Sequence, residues 1–212
     1  MSANPNPASP IEVVLFDVGG VVARAEDPLL VAALEAQLGL VQGGLADLLY
    51  QGDHWHDLSV GKLEEEAYWQ ILARRVGQTP EQVREMLYPV WGPVGQAGID
   101  TAVIALVRQA RTQVRTAILS NATLALEQYL AQHGVADLFD PILNSARVGL
   151  RKPDPAAFQH ALAVIGVAPD AVLFVDDKPR NTRVARELGI PSVDFAGAGA
   201  LAAVLAQYGI IT

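Results

Sequence analysis

From Asp100 onward the chain repeats one kind of unit, a short apolar run followed by a helix-forming stretch. Asp100 reads as the cap of a helix over "TAVIALVRQA". The runs "VRTAILS", "AVLFVDD" and "IPSVDF", with a shorter one near "PILNS", read as strands. They alternate with the helices "LALEQYLAQHG", "PAAFQHALAVIG" and "PRNTRVARELG", and "GALAAVLAQYG" closes the series. Strands separated by helices of this length form a parallel sheet joined by right-handed crossovers. The expected fold class is α/β, a doubly wound, Rossmann-like parallel sheet.

One strand of that sheet stands far upstream. In "IEVVLFDVGGVVAR" the run Val13, Val14, Leu15, Phe16 lacks the polar alternation of a half-exposed strand and reads as buried on both faces. From about Asp27 to Tyr88 the pattern is helical, three or four helices with no obvious strand. "LEEEAYWQILARRVGQ" puts Leu63, Ala67, Ile71 and Leu72 on one face, with acids in the first turn and Gly77 as the stop; Trp69 on this helix reads as core. "TPEQVREMLYPV" opens with Thr79 as N-cap, Pro80 at the first helical position and Gln82 completing a capping box. The expected organisation is a disordered tail (1–10), a core built from 11–23 and 97–212, and a helical module (24–96) inserted after the first strand. The Pro/Gly-rich return "YPVWGPVGQAG", with Trp91, reads as a hinge. There is no internal repeat, and "AGAGA" before the last helix lacks the spacing of a nucleotide loop.

Composition narrows the chemistry. The chain of 212 residues has no cysteine, which removes disulfides, thiolate nucleophiles and Cys-ligated zinc. Its net charge of −8 argues against a nucleic-acid surface or a polybasic membrane patch, while a pocket can still be locally positive for a small anion. No apolar run is long enough to cross a bilayer, and "MSANPNPASP" has neither the charges nor the apolar core of a signal peptide. A soluble, cytoplasmic protein is expected; the sequence leaves oligomeric state open.

Polar groups stand where the strands end. The first strand delivers Asp17, "TAILSN" delivers Ser120 and Asn121, and "VLFVDD" delivers Asp176 and Asp177. The loop "VGLRKPDP" adds Arg151 and Lys152. Singly, each has a plain reading: Asp17 as a turn acid, Ser120, Asn121 and Asp177 as helix caps, Lys152 as a solvated loop charge. Together they belong to the carboxyl ends of parallel strands, which share one crevice. Three carboxylates there repel one another unless a cation joins them, and an all-oxygen cluster suits Mg2+. A lysine and a hydroxyl-amide pair remain for phosphate oxygens, so the set describes phosphoryl transfer to a carboxylate nucleophile.

These stretches resemble the haloacid dehalogenase-like hydrolase superfamily, in "VVLFDVGGVV", "AILSN", "RKPDP" and "FVDDKPRNTRVARELG", in that order and over essentially the whole chain after the tail. The helical module is similar to the family's first type of cap. Within it "YQGDHWHDLSVGKLEEEAYW" resembles the subgroup of α-glucose-1-phosphate phosphatase and the phosphatase domain of bifunctional epoxide hydrolases. The resemblance implies an Mg2+-dependent phosphatase of a small phosphorylated metabolite, a sugar phosphate for preference. Asp17 would attack phosphorus, Ser120 and Asn121 would hold phosphoryl oxygens, and Lys152 would neutralise charge and orient the nucleophile. Asp17, the Gly19 carbonyl, Asp176 and Asp177 would hold the metal, Asp177 directly, with Asn181 behind them. Gly19 and Gly20 would border the phosphate, and Trp55 and His56 in the cap would face the substrate.

One position departs from the pattern. Phosphatases of the superfamily usually carry a second aspartate two places after the nucleophile as general acid and base, and here that place is Gly19. A bias toward good leaving groups follows (anomeric, aryl or acyl phosphates), unless His56 or His54 donates the proton. Two alternatives stand beside this reading: a metal-independent 2-haloacid dehalogenase, which the retained acid pair opposes, and a non-catalytic phosphometabolite-binding protein.

Overall fold

The computed structural model describes residues 10–91 and 98–212, and of Trp91 only the backbone. The strands are β1 (Val13–Phe16), β2 (Arg115–Ser120), β3 (Ile142–Asn144), β4 (Val172–Asp176) and β5 (Ser192–Asp194). The helices are α1 (Pro28–Gln37), α2 (Gly44–Tyr50), α3 (Asp53–Ser59), α4 (Glu65–Val76), α5 (Pro80–Trp91), α6 (Thr101–Ala110), α7 (Leu126–Gln132), α8 (Ser145–Val148), α9 (Pro155–Ile165), α10 (Pro179–Glu187) and α11 (Ala198–Gln207). Short 3-10 turns precede β3 and β4.

All strand pairs are parallel, in the order β3-β2-β1-β4-β5. The strand with the unbroken apolar run is the central one, and every residue of β1 is buried. Val14 and Phe16 enter a cluster with α6, α7 and α11, while Val13 and Leu15 enter the opposite cluster with α9 and α10. The chain winds from β1 through β2 to β3, then crosses back to place β4 on the other side of β1. That reversal leaves an opening above the carboxyl ends of β1 and β4, where open α/β sheets receive ligands.

Helices α1–α5 gather an apolar cluster of their own, built on Leu45, Leu48, Leu49, Trp55, Tyr68, Trp69, Leu72 and Leu87. The sequence predicts three or four helices here and the structure has five, because α2 and α3 have only seven residues each and Gly52, at φ +90°, breaks them apart. The buried face of α4 is also displaced by one residue, with Tyr68, Trp69, Leu72 and Ala73 inside and Ala67 and Ile71 at its margin. The two aromatics take the seam because both satisfy their polar atoms there. Tyr68 donates to the Leu49 carbonyl (2.6 Å) and Trp69 to Glu65 (3.2 Å). The α5 capping box forms as read, with Thr79 N–H on Gln82 (2.9 Å) and Gln82 N–H on Thr79 Oγ1 (3.3 Å). Asp100 caps α6 through Ala102 and Val103 N–H. The tail (all but Pro10), the hinge segment beyond Trp91 and the module boundary at 96/97 lie outside the described residues.

Candidate active site

Parallel register aligns the strand ends. Phe16 stands beside Ile118 of β2 and Val175 of β4, so the residues that follow each strand emerge side by side. Asp17 is nearly buried, and its Oδ1 receives the Val18 N–H (2.7 Å), the Ser120 hydroxyl (2.8 Å) and the Lys152 ammonium (3.1 Å). Among the described residues Oδ2 receives no donor, so the carboxylate is held by one oxygen and offers the other. Burial opposes its ionisation, but Lys152, Lys178 and the hydrogen bonds from Ser120 and Lys152 outweigh that and hold the carboxyl below its usual value.

Lys152 is only 1% exposed, far from the solvated loop charge its sequence context allows. Its Nζ lies 2.6 Å from Asp176 Oδ2 and over the Phe174 ring at 5.2 Å. Asn121 places it: the amide donates to the Lys152 carbonyl (2.7 Å) and accepts from the Lys152 N–H (2.8 Å), clamping the loop main chain to the end of β2. The Asn121 side chain is thereby occupied with positioning, and Ser120 and Asn121 cap nothing, since α7 begins at Leu126 without a side-chain cap. Asn144 and Ser145 anchor the segment after β2, the Asn144 side-chain amide donating to the Thr123 carbonyl (2.9 Å) and the Ser145 hydroxyl accepting the Ala122 N–H (3.0 Å).

One oxygen from each of Asp17, Asp176 and Asp177 lies within 4.8 Å of the others. The pair after β4 is not equivalent. Asp176 is fully buried and saturated by Lys152, by the Lys178 N–H (2.8 Å) and by the Asn181 amide on both oxygens (3.0 and 2.9 Å). Asp177 is partly open, does not cap α10, and has a buried Oδ1 with no hydrogen bond among the described residues, where Lys178 stands 3.9 Å away. Burial pushes both carboxyls up from their usual range, against Lys152 at Asp176 and against Lys178 at Asp177. An all-oxygen trio with one orphaned oxygen fits a hard divalent cation, with Asp177 as the open ligand and Asp176 tied into the frame. Gly20 explains itself here: its φ is +79° and a Cβ would lie 2.7 Å from Asp177 Oδ2.

Above the trio lies a cavity of about 400 Å3, lined by Gly19, Gly20, Asn121 and Asp177 from the sheet side and by Tyr50 and Trp55 from the helical layer. Trp55 is both core of that layer and wall of the cavity. His56 borders a second cavity of about 540 Å3, which Tyr50, Arg151 and Arg180 share with the first. His54 is not among the lining residues of either cavity; it stacks on Tyr68 (5.6 Å), and its Nε2 lies 3.2 Å from both the Leu48 carbonyl and Arg75 Nη1. The sequence reading passed over Arg24, Lys178 and Arg180, which also line the first cavity. Their signal was basic residues beside the motifs, in "VVAR" and "DDKPR".

A model of the haloacid dehalogenase-like hydrolase family matches residues 11–189. The chain is 26% identical to the sesquiterpene phosphatase astK of Aspergillus oryzae, over 84% of this chain and 87% of that protein. It is 29% identical to the drimenol cyclase drtB of Aspergillus calidoustus over 87% of this chain, but spans only 34% of that longer protein. In fold it is similar to a haloacid dehalogenase family enzyme of Bacteroides thetaiotaomicron, solved in complex with magnesium and inorganic phosphate, with TM-score 0.69, 20% identity and coverage of 89% of this chain and 96% of that one. With the family pattern matched from before β1 to the end of α10, the chain belongs to the haloacid dehalogenase-like hydrolases.

Proposed function

We propose that the protein is an Mg2+-dependent phosphatase that removes phosphate from a small phosphorylated metabolite through an aspartyl-phosphate intermediate. The observation that carries this is the buried Asp17 at the end of the central strand, held anionic with Oδ1 fixed by Ser120 and Lys152 and Oδ2 free. The phosphatase astK and the magnesium–phosphate complex of the B. thetaiotaomicron enzyme support it.

One oxygen of the Asp17 carboxylate attacks phosphorus while the other is left for the metal; an acyl-phosphate bond forms and the bond to the leaving oxygen breaks. Water then attacks phosphorus, releasing orthophosphate and the free carboxylate. Lys152, already desolvated, offsets negative charge on the phosphoryl oxygens without reorganising, and Ser120 keeps the nucleophile oriented. Asp17, Asp177 and the Gly19 carbonyl would hold Mg2+, with Asp176 supporting; bound there, Mg2+ supplies neutralisation of phosphate charge. With no acid at Gly19, the leaving oxygen departs without a proton from that position, which favours anomeric, aryl and acyl phosphates.

The test is phosphate release from a panel of sugar, nucleotide, acyl and aryl phosphates, in Mg2+ or EDTA, for wild type and Asp17→Asn. Mg2+-dependent release that Asp17→Asn abolishes is the expected result. Release of halide from a 2-haloacid in EDTA, with none of phosphate, would replace this reading with the dehalogenase.

A further inference from the structure

Four cationic side chains, Arg24, Arg151, Lys178 and Arg180, line the cavity above the acid trio, against two acids, Glu26 and Asp177. In a chain of net charge −8 this is a local reversal of sign, and of the four only Lys178 has a carboxylate beside it, Asp177 at 3.9 Å, among the described residues. Among the described residues Arg24, Arg151 and Arg180 pair with no carboxylate. The nearby acids are engaged elsewhere. Glu26 accepts from the Tyr50 hydroxyl (3.4 Å), Asp47 from Gln51 (2.9 Å), and Asp154 caps α9 through the Ala156 N–H (2.8 Å).

Arg151 is the informative member. Its guanidinium lies 5.9 Å from the Trp55 ring centroid, its Nη1 is 3.5 Å from His56 Nδ1, and its buried Nε has no hydrogen-bond partner among the described residues. Burial, then repulsion from Arg180, pushes the group below the usual guanidinium value. A half-desolvated guanidinium beside a second one costs free energy until an anion completes it, and its planar fork suits carboxylate or phosphate. The neighbouring Lys152 turns the other way, its ammonium on Asp17 and Asp176. A phosphoryl group at Asp17 is therefore served by Lys152, and the guanidiniums are left for something else on the same molecule.

Resting on the phosphatase reading above, we propose that the substrate carries a second anionic group, a carboxylate or another phosphate, which Arg151 and Arg180 bind with Arg24 assisting, while Tyr50, Trp55 and Val90 line the carbon portion. The second anion also ties the core loop of Arg151 to Trp55 and His56 of the helical layer.

The experiment is calorimetric binding, in Mg2+, of methylphosphonate, of carboxyalkylphosphonates with spacers of one to four carbons, and of bisphosphonates of the same lengths. At least one doubly anionic probe binds tighter than methylphosphonate by about tenfold or more, the scale of one charge-assisted hydrogen bond. Whether the carboxylate or the bisphosphonate series wins identifies the second group. That ratio falls toward one in Arg151→Gln and in Arg180→Gln; Arg180 is exposed, so the second variant tests the idea even where the first folds poorly. Equal binding across both series, or a ratio unchanged in both variants, overturns the inference. A retained ratio with no phosphate release from any phosphomonoester supports it and overturns hydrolysis instead.

Discussion

At Gly19 an added Cβ would meet nothing within 4 Å among the described residues, and its φ is not in the left-handed region. The place where the family's phosphatases hold a carboxylic acid is thus open and unstrained, and Gly19→Asp is a gain-of-function test. It is expected to raise turnover of alkyl phosphates with poor leaving groups by about 10²-fold or more, the usual contribution of a general acid, and to change aryl phosphates far less. The readout is the slope of log kcat/KM against leaving-group pKa, steep in wild type and flatter in the variant; equal slopes would mean that another group already donates the proton. Gly20 makes the opposite case. Left-handed and 2.7 Å from Asp177 Oδ2 at a notional Cβ, it has no room for alanine, and Gly20→Ala is expected to weaken Mg2+ binding by displacing Asp177. These two neighbours look alike in "DVGGVV". Only the approach of Asp177, more than 150 residues away in sequence, tells them apart.

Between elements, the helical layer meets the sheet domain where the turn after α3 passes α8. Gly61 has φ +72°, and a Cβ there would lie 2.2 Å from the Ala146 carbonyl oxygen, main chain that cannot turn aside. Gly61→Ala is expected to cost about 1–3 kcal/mol and to raise KM more than it lowers kcat, because the layer is pushed off the cavity while the Asp17 cluster stays intact. Thermal melts and steady-state kinetics check it; unchanged stability would mean that the contact yields without strain. This junction left no trace in the sequence, since a glycine ending a short helix reads the same whether or not another backbone lies against it. The N-caps at Thr79 and Asp100 were legible because capping is settled within a few residues. The face of α4 was legible in part: Trp69 and Leu72 are inside as read, but Tyr68 takes the place expected for Ile71 because its hydroxyl finds the Leu49 carbonyl on another helix.

At the scale of the whole molecule, the winding order sets β1 beside β4 and so gathers three acids around one lysine. That much was readable in the sequence, as acids at the ends of apolar runs in a chain that alternates helix and strand. The unequal state of the acids was not, because it depends on which of them Asn181 and Lys152 saturate. The arrangement is held against electrostatic cost. Asp17 and Asp176 are buried with Lys152 as their shared counter-ion, and Asp177 has an oxygen that no group among the described residues completes. A cation that binds only the folded chain stabilises it by mass action, about 2.7 kcal/mol at a hundred times its Kd. For a chain of this size that is a rise in Tm of roughly 5–10 °C. Mg2+ is therefore expected to raise the melting midpoint relative to EDTA, and Asp177→Asn to remove most of the rise. Lys152→Met leaves two buried carboxylates without their counter-ion and is expected to cost about 3–5 kcal/mol, with stability then leaning harder on Mg2+. Coincident melting curves in Mg2+ and EDTA would mean that the trio is balanced by Lys152 alone, and the metal site would have to be abandoned.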